Sequence, residues 1–116
     1  MSIVTFETQT YELTDYEKGL LPNIVSRLSK KIGKQNAVTS KEVVATYKSA
    51  GYKMSSARWR KIIHHIRVNG LVKNLIATSN GYYIATTEKE KKDFITSLNQ
   101  RINAITEVRN AMLKQF

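Results

Sequence analysis

The stretch from Ser55 to Gly70 constrains the fold of this chain more than any other. At about 100° per residue, a helix over these residues collects large apolar side chains on one face. The opposite, outward face of this helical wheel consists of Ala57, Lys61, His64 and Val68, with Arg60 and His65 at its edges. Ser55 or Ser56 can cap the first turn, and Asn69-Gly70 supplies the left-handed residue that ends many helices. The sequence therefore predicts a helix over 55–69 whose core face consists of Trp59, Ile62, Ile63 and Ile66.

A second helix is predicted immediately before this one. Thr39 and Glu42 have the spacing of a capping box, and Gly51 closes the helix that they open. Only residues 51–54 separate the two helices. A glycine-containing turn of three or four residues between two helices is typical of a helix-turn-helix, so we predict that motif here.

Two β-prone runs follow, 71–78 and 82–86, and they are joined by Ser79-Asn80-Gly81. Asn-Gly between such runs favours a β-hairpin, because both residues tolerate positive φ. A hairpin directly after a helix-turn-helix forms a wing. Such a wing either reaches the sugar-phosphate backbone of a nucleic acid or only covers the core, and the sequence leaves both alternatives open.

The chain before the helix-turn-helix is less regular. Residues 1–13 suit an N-terminal arm or an edge strand, and Thr14 with Glu17 forms a capping box that opens a helix. Gly19 and Pro22 predict a kink or a restart near Leu21. From there, helical spacing predicts an apolar stripe that Gly33 ends, and 35–38 is expected to add one short strand. The stripe consists of Leu21, Val25, Leu28 and Ile32.

A third capping box, Thr87 to Glu90, opens a helix with no strong breaker before the last residue. Its apolar residues occupy the a and d positions of one heptad register, with Arg109 at an a position. This stripe suits pairing with a second copy, or packing on the first helix of its own chain. We expect a homodimer, formed through Ile95, Leu98, Ile102, Ile105, Met112 and Phe116.

The net charge is +10 and is unevenly distributed. Residues 39–78 carry eight Lys/Arg against Glu42 alone. A localised basic patch favours binding to a polyanion, because it neutralises phosphates and releases counterions. The alternative is that the charge only keeps a small protein in solution.

Several classes of chemistry find no support. The two histidines, His64 and His65, are adjacent and point about 100° apart on a helix, so they do not form a paired metal site. There is no cysteine, no P-loop, no dinucleotide fingerprint and no nucleophile elbow. No run approaches the roughly 18 apolar residues of a membrane helix. We therefore expect a cytoplasmic, non-enzymatic protein without metal or cofactor.

The run RKIIHHIRVNG (60–70), followed by SNGYYIAT (79–86), resembles small phage or prophage-encoded winged-helix proteins. In these proteins an Arg-x-x-Ile-x-x-Ile-Arg-x-x-Gly helix precedes a Gly-Tyr-Tyr wing. The resemblance covers about residues 14–87 and implies a winged helix-turn-helix there. The long C-terminal helix predicted over 88–116 departs from the plainest form of that family. Together these elements give an α+β, mostly helical fold. The resemblance also implies a DNA-binding transcriptional regulator or phage replication accessory.

The function expected is binding of double-stranded DNA, with helix 55–69 in the major groove. Arg60 is the candidate for bidentate contact with guanine, with Ser56 and Ala57 beside it at the base edges. The remaining candidates suit phosphate contacts. They are Lys41, Lys53, Lys61, His64, Arg67, Lys73 and Asn80.

Two other functions remain as alternatives. A winged-helix adaptor from a phage or mobile element would bind a host protein, although the basic residues at 60, 61 and 67 count against it. A binder of single strands or RNA would need exposed aromatic side chains among the basic ones. Only Tyr52 beside Lys53 suggests this, and Tyr47, Tyr82 and Tyr83 are expected to belong to the core.

Overall fold

A computed structural model describes residues 12–116 of the chain, so nearly all of the arm predicted at 1–13 lies outside the described residues. The fold is α+β and mostly helical, as expected, and it divides into two units, one ending at Ala85 and the other spanning Thr86–Phe116. The elements in order are α1 (Asp15–Leu28), a 3₁₀ turn (Lys34–Asn36), α2 (Ser40–Ser49), α3 (Ser56–Val68), β1 (Leu75–Thr78), β2 (Gly81–Ile84) and α4 (Glu88–Leu113).

Local capping sets the start of each long helix. In α1 the Glu17 amide donates to Thr14 Oγ1 (3.2 Å) and the Thr14 amide donates to Glu17 Oε1 (2.8 Å), which confirms the predicted box. The box of Thr39 and Glu42 opens α2 in the same way. The third predicted box, at the start of α4, forms only in part. The Glu90 amide donates to Thr87 Oγ1 as predicted, but Glu90 Oε1 accepts from the amide of Thr86 and not from that of the N-cap residue Thr87.

The first helix differs from its prediction in phase and length. It runs without interruption through Gly19 and Pro22 and ends at Leu28, so it neither restarts near Leu21 nor reaches Gly33. The helix begins directly after its N-cap, Thr14, and its buried apolar face consists of Leu20, Ile24 and Leu28. Of the predicted stripe, only Leu28 belongs to this buried face. Leu21 and Val25 are only partly buried, and Ile32 is 53% exposed beyond the helix.

The core is built around α3. Trp59, Ile62, Ile63 and Ile66 are all buried, which confirms the predicted apolar face of this helix. Polar contacts join α3 and α2 to their neighbours: Trp59 Nε1 donates to Ser40 Oγ (3.1 Å), and Tyr47 Oη donates to Asn23 Oδ1 (2.6 Å). The orientation of α3 relative to α1 and α2 is therefore set by packing and by specific hydrogen bonds.

The hairpin is shorter and turns differently than predicted. Strand β1 begins at Leu75 because Asn74, with φ of 60°, breaks the extended run before it. Thr78 pairs with Gly81, so the turn residues are Ser79 and Asn80. Among the described non-glycine residues, only Asn74 and Phe116 have positive φ, so Asn80 does not adopt the conformation expected of it.

The strand predicted at 35–38 is reduced to a single bridge. Residues 34–36 form the 3₁₀ turn, and Val38 pairs antiparallel with Tyr82 through hydrogen bonds of 3.0 and 2.8 Å. Gly81 lies beside this bridge with φ of 115°, and a Cβ atom there would stand 2.5 Å from the Val38 carbonyl oxygen. The close approach of two backbones explains why glycine occupies position 81.

We predict that Gly81→Ala lowers the free energy of unfolding by about 1 to 3 kcal/mol, because the new methyl group meets backbone and the φ angle is strained. Urea unfolding followed by circular dichroism measures the loss. Gly19→Ala is the matched control: its added Cβ finds open space within α1, so it should stabilise by about 0.5 to 1 kcal/mol. Equal effects of the two substitutions would contradict the role assigned to the Val38 bridge.

Candidate functional site

Both ends of α3 are defined by capping. The Arg58 amide donates to Ser55 Oγ (3.1 Å) at the start. At the end, the Leu71 amide donates to the Ile66 carbonyl oxygen and the Gly70 amide to that of Arg67, which is the Schellman arrangement. Gly70 has φ of 62°, as its predicted role as a helix stop requires. The outward side chains of α3 therefore project from a well-bounded helix.

The outward face of α3 begins at its first turn. Ser56, Ala57, Arg60 and His64 are exposed there, and Arg67 is half-buried at its edge. Val68 is 70% exposed, although it is apolar. The three residues predicted to contact base edges thus lie together on the N-terminal half of this face.

Lys61 lies elsewhere than the helical wheel suggested. Its side chain is only 18% exposed, and its Nζ lies 2.7 Å from Glu17 Oε1 on α1. The wheel placed Lys61 on the outward face, but its long side chain reaches round the helix toward α1. Its charge is directed at a carboxylate of the same chain and not at the outward surface.

Glu17 also binds Arg58. Arg58 Nε lies 2.9 Å from Glu17 Oε2, its Nη1 donates to the Lys53 carbonyl oxygen, and its guanidinium lies over the Tyr16 ring. Glu17 itself is 1% exposed. We refer to Glu17, Arg58 and Lys61 as the ion triad, and it ties α3 to α1.

The protonation of Glu17 follows from these contacts. Burial alone raises the pKa of its carboxyl, but the hydrogen bonds from Lys61, the Thr14 amide and Arg58 lower it more, so the pKa lies below its ordinary value. Glu17 is therefore charged at neutral pH. The sequence explained Glu17 as a cap alone and gave no sign of its second role, because its partners lie more than 40 residues away.

A groove of about 360 Å³ lies between α3 and the hairpin. It brings together five residues predicted to contact DNA, and it adds Tyr82, which the sequence assigned to the core. Tyr82 is half-buried, with its ring edge-on to Trp59 at 5.8 Å between centroids. The groove is lined by Ala57, Arg60, Lys61, Ile63, His64, Arg67 and Tyr82.

A smaller groove of about 250 Å³ is also lined by Tyr82. Thr39 and Ser40 at the start of α2 line it, together with residues 77–79 and Gly81 of the hairpin. Lys41, in the first turn of α2, is exposed. The start of α2 and the hairpin turn therefore adjoin the same tyrosine as the face of α3.

The other predicted phosphate contacts lie on connecting segments. Lys53 is exposed in the turn before α3, and its amide donates to Tyr16 Oη (2.9 Å). Lys73 is exposed in the turn before β1, and Asn80 is exposed at the hairpin turn. The structure does not bring these three into either groove.

The residues predicted for dimerisation belong to α4, none of whose residues is buried. Ile95, Ile102, Ile105 and Met112 are 47 to 69% exposed, and Leu98 is half-buried. Phe116 is an exception, because α4 ends at Leu113 and the last residue has positive φ. It does not continue the helical a and d stripe.

Within residues 12–116, no cluster of three or more His, Cys, Asp or Glu side chains is arranged to hold a metal ion. None of the described helices is both long and apolar enough to cross a bilayer. No family model matches the chain, and neither the curated proteins nor the solved structures contain a match to it.

Proposed function

We propose that the chain is a winged helix-turn-helix protein that binds double-stranded DNA in a sequence-selective manner. The observation that carries the proposal is the exposed face of α3, where Arg60 stands beside two small side chains and a groove leads to the hairpin. An α-helix fits the major groove of B-DNA, and small neighbours let an arginine approach base edges closely.

The charge of the first unit supports the same function. Residues 12–85 contain thirteen Lys/Arg against four Asp/Glu. The ion triad pairs one of those acids, Glu17, with two of the cations, Arg58 and Lys61, inside the protein. Eleven Lys/Arg against three Asp/Glu remain outside the triad. The remaining positive charge provides the non-specific attraction to phosphates that most DNA-binding domains need.

The roles of individual residues follow from their placement. Arg60 suits guanine, and Ser56 and Ala57 lie at the base edges. His64 and Arg67 flank the groove and suit phosphates. Lys41, Lys53, Lys73 and Asn80 suit more distant backbone contacts, whereas Lys61 is assigned to the ion triad because its ammonium already binds Glu17.

In this proposal the hairpin is a wing. Tyr82 links it to α3 through Trp59, and the smaller groove links it to the start of α2. Amides at a helix start favour a phosphate oxygen, so Ser40 and Lys41 in the first turn of α2 suit the DNA backbone. A transcriptional regulator and a phage replication accessory both need this activity.

The test is fluorescence anisotropy of a labelled random duplex and the matching single strand, each titrated with the full chain at about 50 mM and about 200 mM salt. Duplex binding that weakens steeply with salt is the expected result. Equal or tighter binding of the single strand would favour a single-strand or RNA binder. Absence of duplex binding at low salt would overturn the proposal and direct attention to a host protein as partner.

We predict that Arg60→Ala costs about 1 to 3 kcal/mol of binding free energy on a selected target sequence and less on random duplex, since a base contact is lost. Competition titrations with both duplexes measure the difference. Lys48→Ala is the matched control, because Lys48 is exposed in the last turn of α2 and lines neither groove. An equal loss on both duplexes for Arg60→Ala would reassign Arg60 to a phosphate.

A further inference from the structure

Helix α4 carries an apolar stripe with heptad spacing. The a and d positions hold Ile95, Leu98, Ile102, Ile105 and Met112, and Val108 and Leu113 widen the stripe at neighbouring positions. Ile105 is 69%, Val108 64% and Leu113 76% exposed. A repeat of 3.5 residues, in place of the 3.6 of a lone helix, is the pattern that keeps one seam facing a partner helix.

We propose that α4 pairs with α4 of a second copy of the chain, and that the two helices run antiparallel. This inference does not depend on DNA binding. If each large apolar side chain removes roughly 100 Å² from water, the seven on each helix bury on the order of 1,400 Å² in total. That area lies at the lower end of stable protein interfaces, which suits a dimer with micromolar affinity.

Arg109 decides the orientation. It occupies an a position, so a parallel pair places the two Arg109 side chains in the same layer of the seam. Two guanidinium groups facing each other in an apolar seam repel and lose hydration, with no acidic side chain at the flanking positions 106, 108, 113 and 115 to compensate. A parallel pair therefore holds two uncompensated positive charges within its seam.

An antiparallel pair removes this defect. In the register that matches Ile95 with the partner's Met112 and Ile102 with the partner's Ile105, Arg109 lies beside the partner's Leu98. The two Arg109 layers are then eleven residues apart, or roughly 16 Å along the axis. That distance exceeds the roughly 8 Å screening length at physiological salt, so the repulsion is largely screened.

The charge of the first unit favours the same orientation. Residues 12–85 of each copy carry thirteen Lys/Arg against four Asp/Glu, and this unit is joined to the first turn of α4. A parallel pair brings the first turns of the two α4 helices together. The antiparallel register separates them by roughly 45 Å along the axis, so the chain segments that lead into the two basic units start far apart.

The two orientations predict opposite results for one substitution. Leu98→Glu sets the new carboxylate against the partner's Arg109 in the antiparallel pair, but against the identical new carboxylate of the other copy in a parallel pair. Ile105→Glu places its carboxylate opposite an isoleucine in the antiparallel register and opposite a second carboxylate in the parallel one, so it disrupts both. Asn103→Glu adds the same charge at an exposed position outside the seam and serves as the control.

Sedimentation equilibrium measures the dimer affinity of each full-length variant, with circular dichroism to verify that helix content is retained. We expect wild type and Asn103→Glu to have twice the mass of one chain, Ile105→Glu to have the mass of one chain, and Leu98→Glu to pair within about tenfold of wild type. A wild-type chain that stays single at several hundred micromolar would overturn the pairing. Leu98→Glu that dissociates while folded, as Ile105→Glu does, would overturn the antiparallel orientation.

A distance measurement gives a second test that does not depend on the stability of Leu98→Glu. The chain has no cysteine, so Lys89→Cys provides one site for a nitroxide label in the first turn of each α4. Pulsed dipolar spectroscopy should give roughly 45 Å between the labels of an antiparallel pair. A distance of roughly 20 Å would show a parallel pair, since both labels would then lie in the same layer.

Discussion

Glu17→Ala is expected to lower the free energy of unfolding by about 3 kcal/mol at neutral pH. The carboxylate is buried and accepts from Arg58 and Lys61 at 2.9 and 2.7 Å, so its removal leaves two partly buried cations without their counter-charge. It also removes the reciprocal half of the α1 capping box. Urea unfolding monitored by circular dichroism gives the change directly.

Glu42→Ala is the matched control for this substitution. Glu42 has the same position in the α2 capping box, yet it is exposed and binds no cation in the described part of the chain at ion-pair distance. Its loss measures the capping contribution alone, so the excess for Glu17→Ala measures the ion triad. If the two substitutions destabilise equally, the triad contributes nothing net and the burial of Glu17 has another explanation.

The pH dependence of stability follows from the lowered pKa of Glu17. A carboxyl whose folded pKa lies below its unfolded value of 4.5 contributes stability that is fully present above pH 4.5. That contribution is lost as the pH falls through the folded pKa. The difference in unfolding free energy between wild type and Glu17→Gln should therefore be constant from pH 7 to about pH 5 and shrink below it. A difference that grows on acidification would have the wrong sign for a charged Glu17.

Several features that depend on a few neighbouring residues were predicted correctly, although the kink at Pro22 and half of the third capping box were not. The boxes at Thr14 and Thr39, the left-handed helix end at Gly70 and the core face around Trp59 all depend on residues within one or two turns. Their energies arise from local hydrogen bonds and from helical periodicity. The order of helices and hairpin followed from them.

Features that depend on distant residues were missed. The sequence expected positive φ at both Asn80 and Gly81, but only Gly81 adopts it. The conformation at Gly81 is fixed by the backbone of Val38, which lies far away in the chain. Lys61 was placed on the outward face because a helical wheel gives the direction of a Cβ atom and not the reach of a long side chain. The Lys61 ammonium lies beside Glu17 on α1, and only the packing of α1 against α3 shows this.

In the candidate site, too, the features that depend on neighbouring residues were predicted and those that depend on distant residues were not. Ser56, Ala57 and Arg60, which the sequence analysis assigned to base edges, are all exposed on the N-terminal half of α3. The sequence contained no information on the groove that Tyr82 lines. In the strand pattern, Tyr82 and Tyr83 both read as core residues. Period-2 alternation would have separated them, since Tyr83 is buried and its neighbour is only half-buried.

Trp59→Ala is expected to have the largest effect on stability of any substitution considered, about 3 to 5 kcal/mol. The side chain is fully buried, and its deletion leaves a large cavity in the core that surrounds α3. It also removes the hydrogen bond to Ser40 Oγ and the edge-on contact with Tyr82. Trp59 is the chain's only tryptophan, so the variant has no tryptophan fluorescence to follow. Chemical unfolding is therefore followed by far-ultraviolet circular dichroism.

Trp59→Phe separates the cavity from the polar contact. Phenylalanine keeps an aromatic ring against Tyr82 but lacks the indole N–H, so the expected loss is smaller, about 1 to 2 kcal/mol. The variant should remain folded, and anisotropy with the duplex then tests whether the junction of α3, α2 and the hairpin matters for binding. If binding weakens while Arg60 is intact, the hairpin takes part in the interface that we propose. If duplex affinity is unchanged despite the stability loss, the contacts of Trp59 serve the core alone, and the groove beside Tyr82 is not required for DNA.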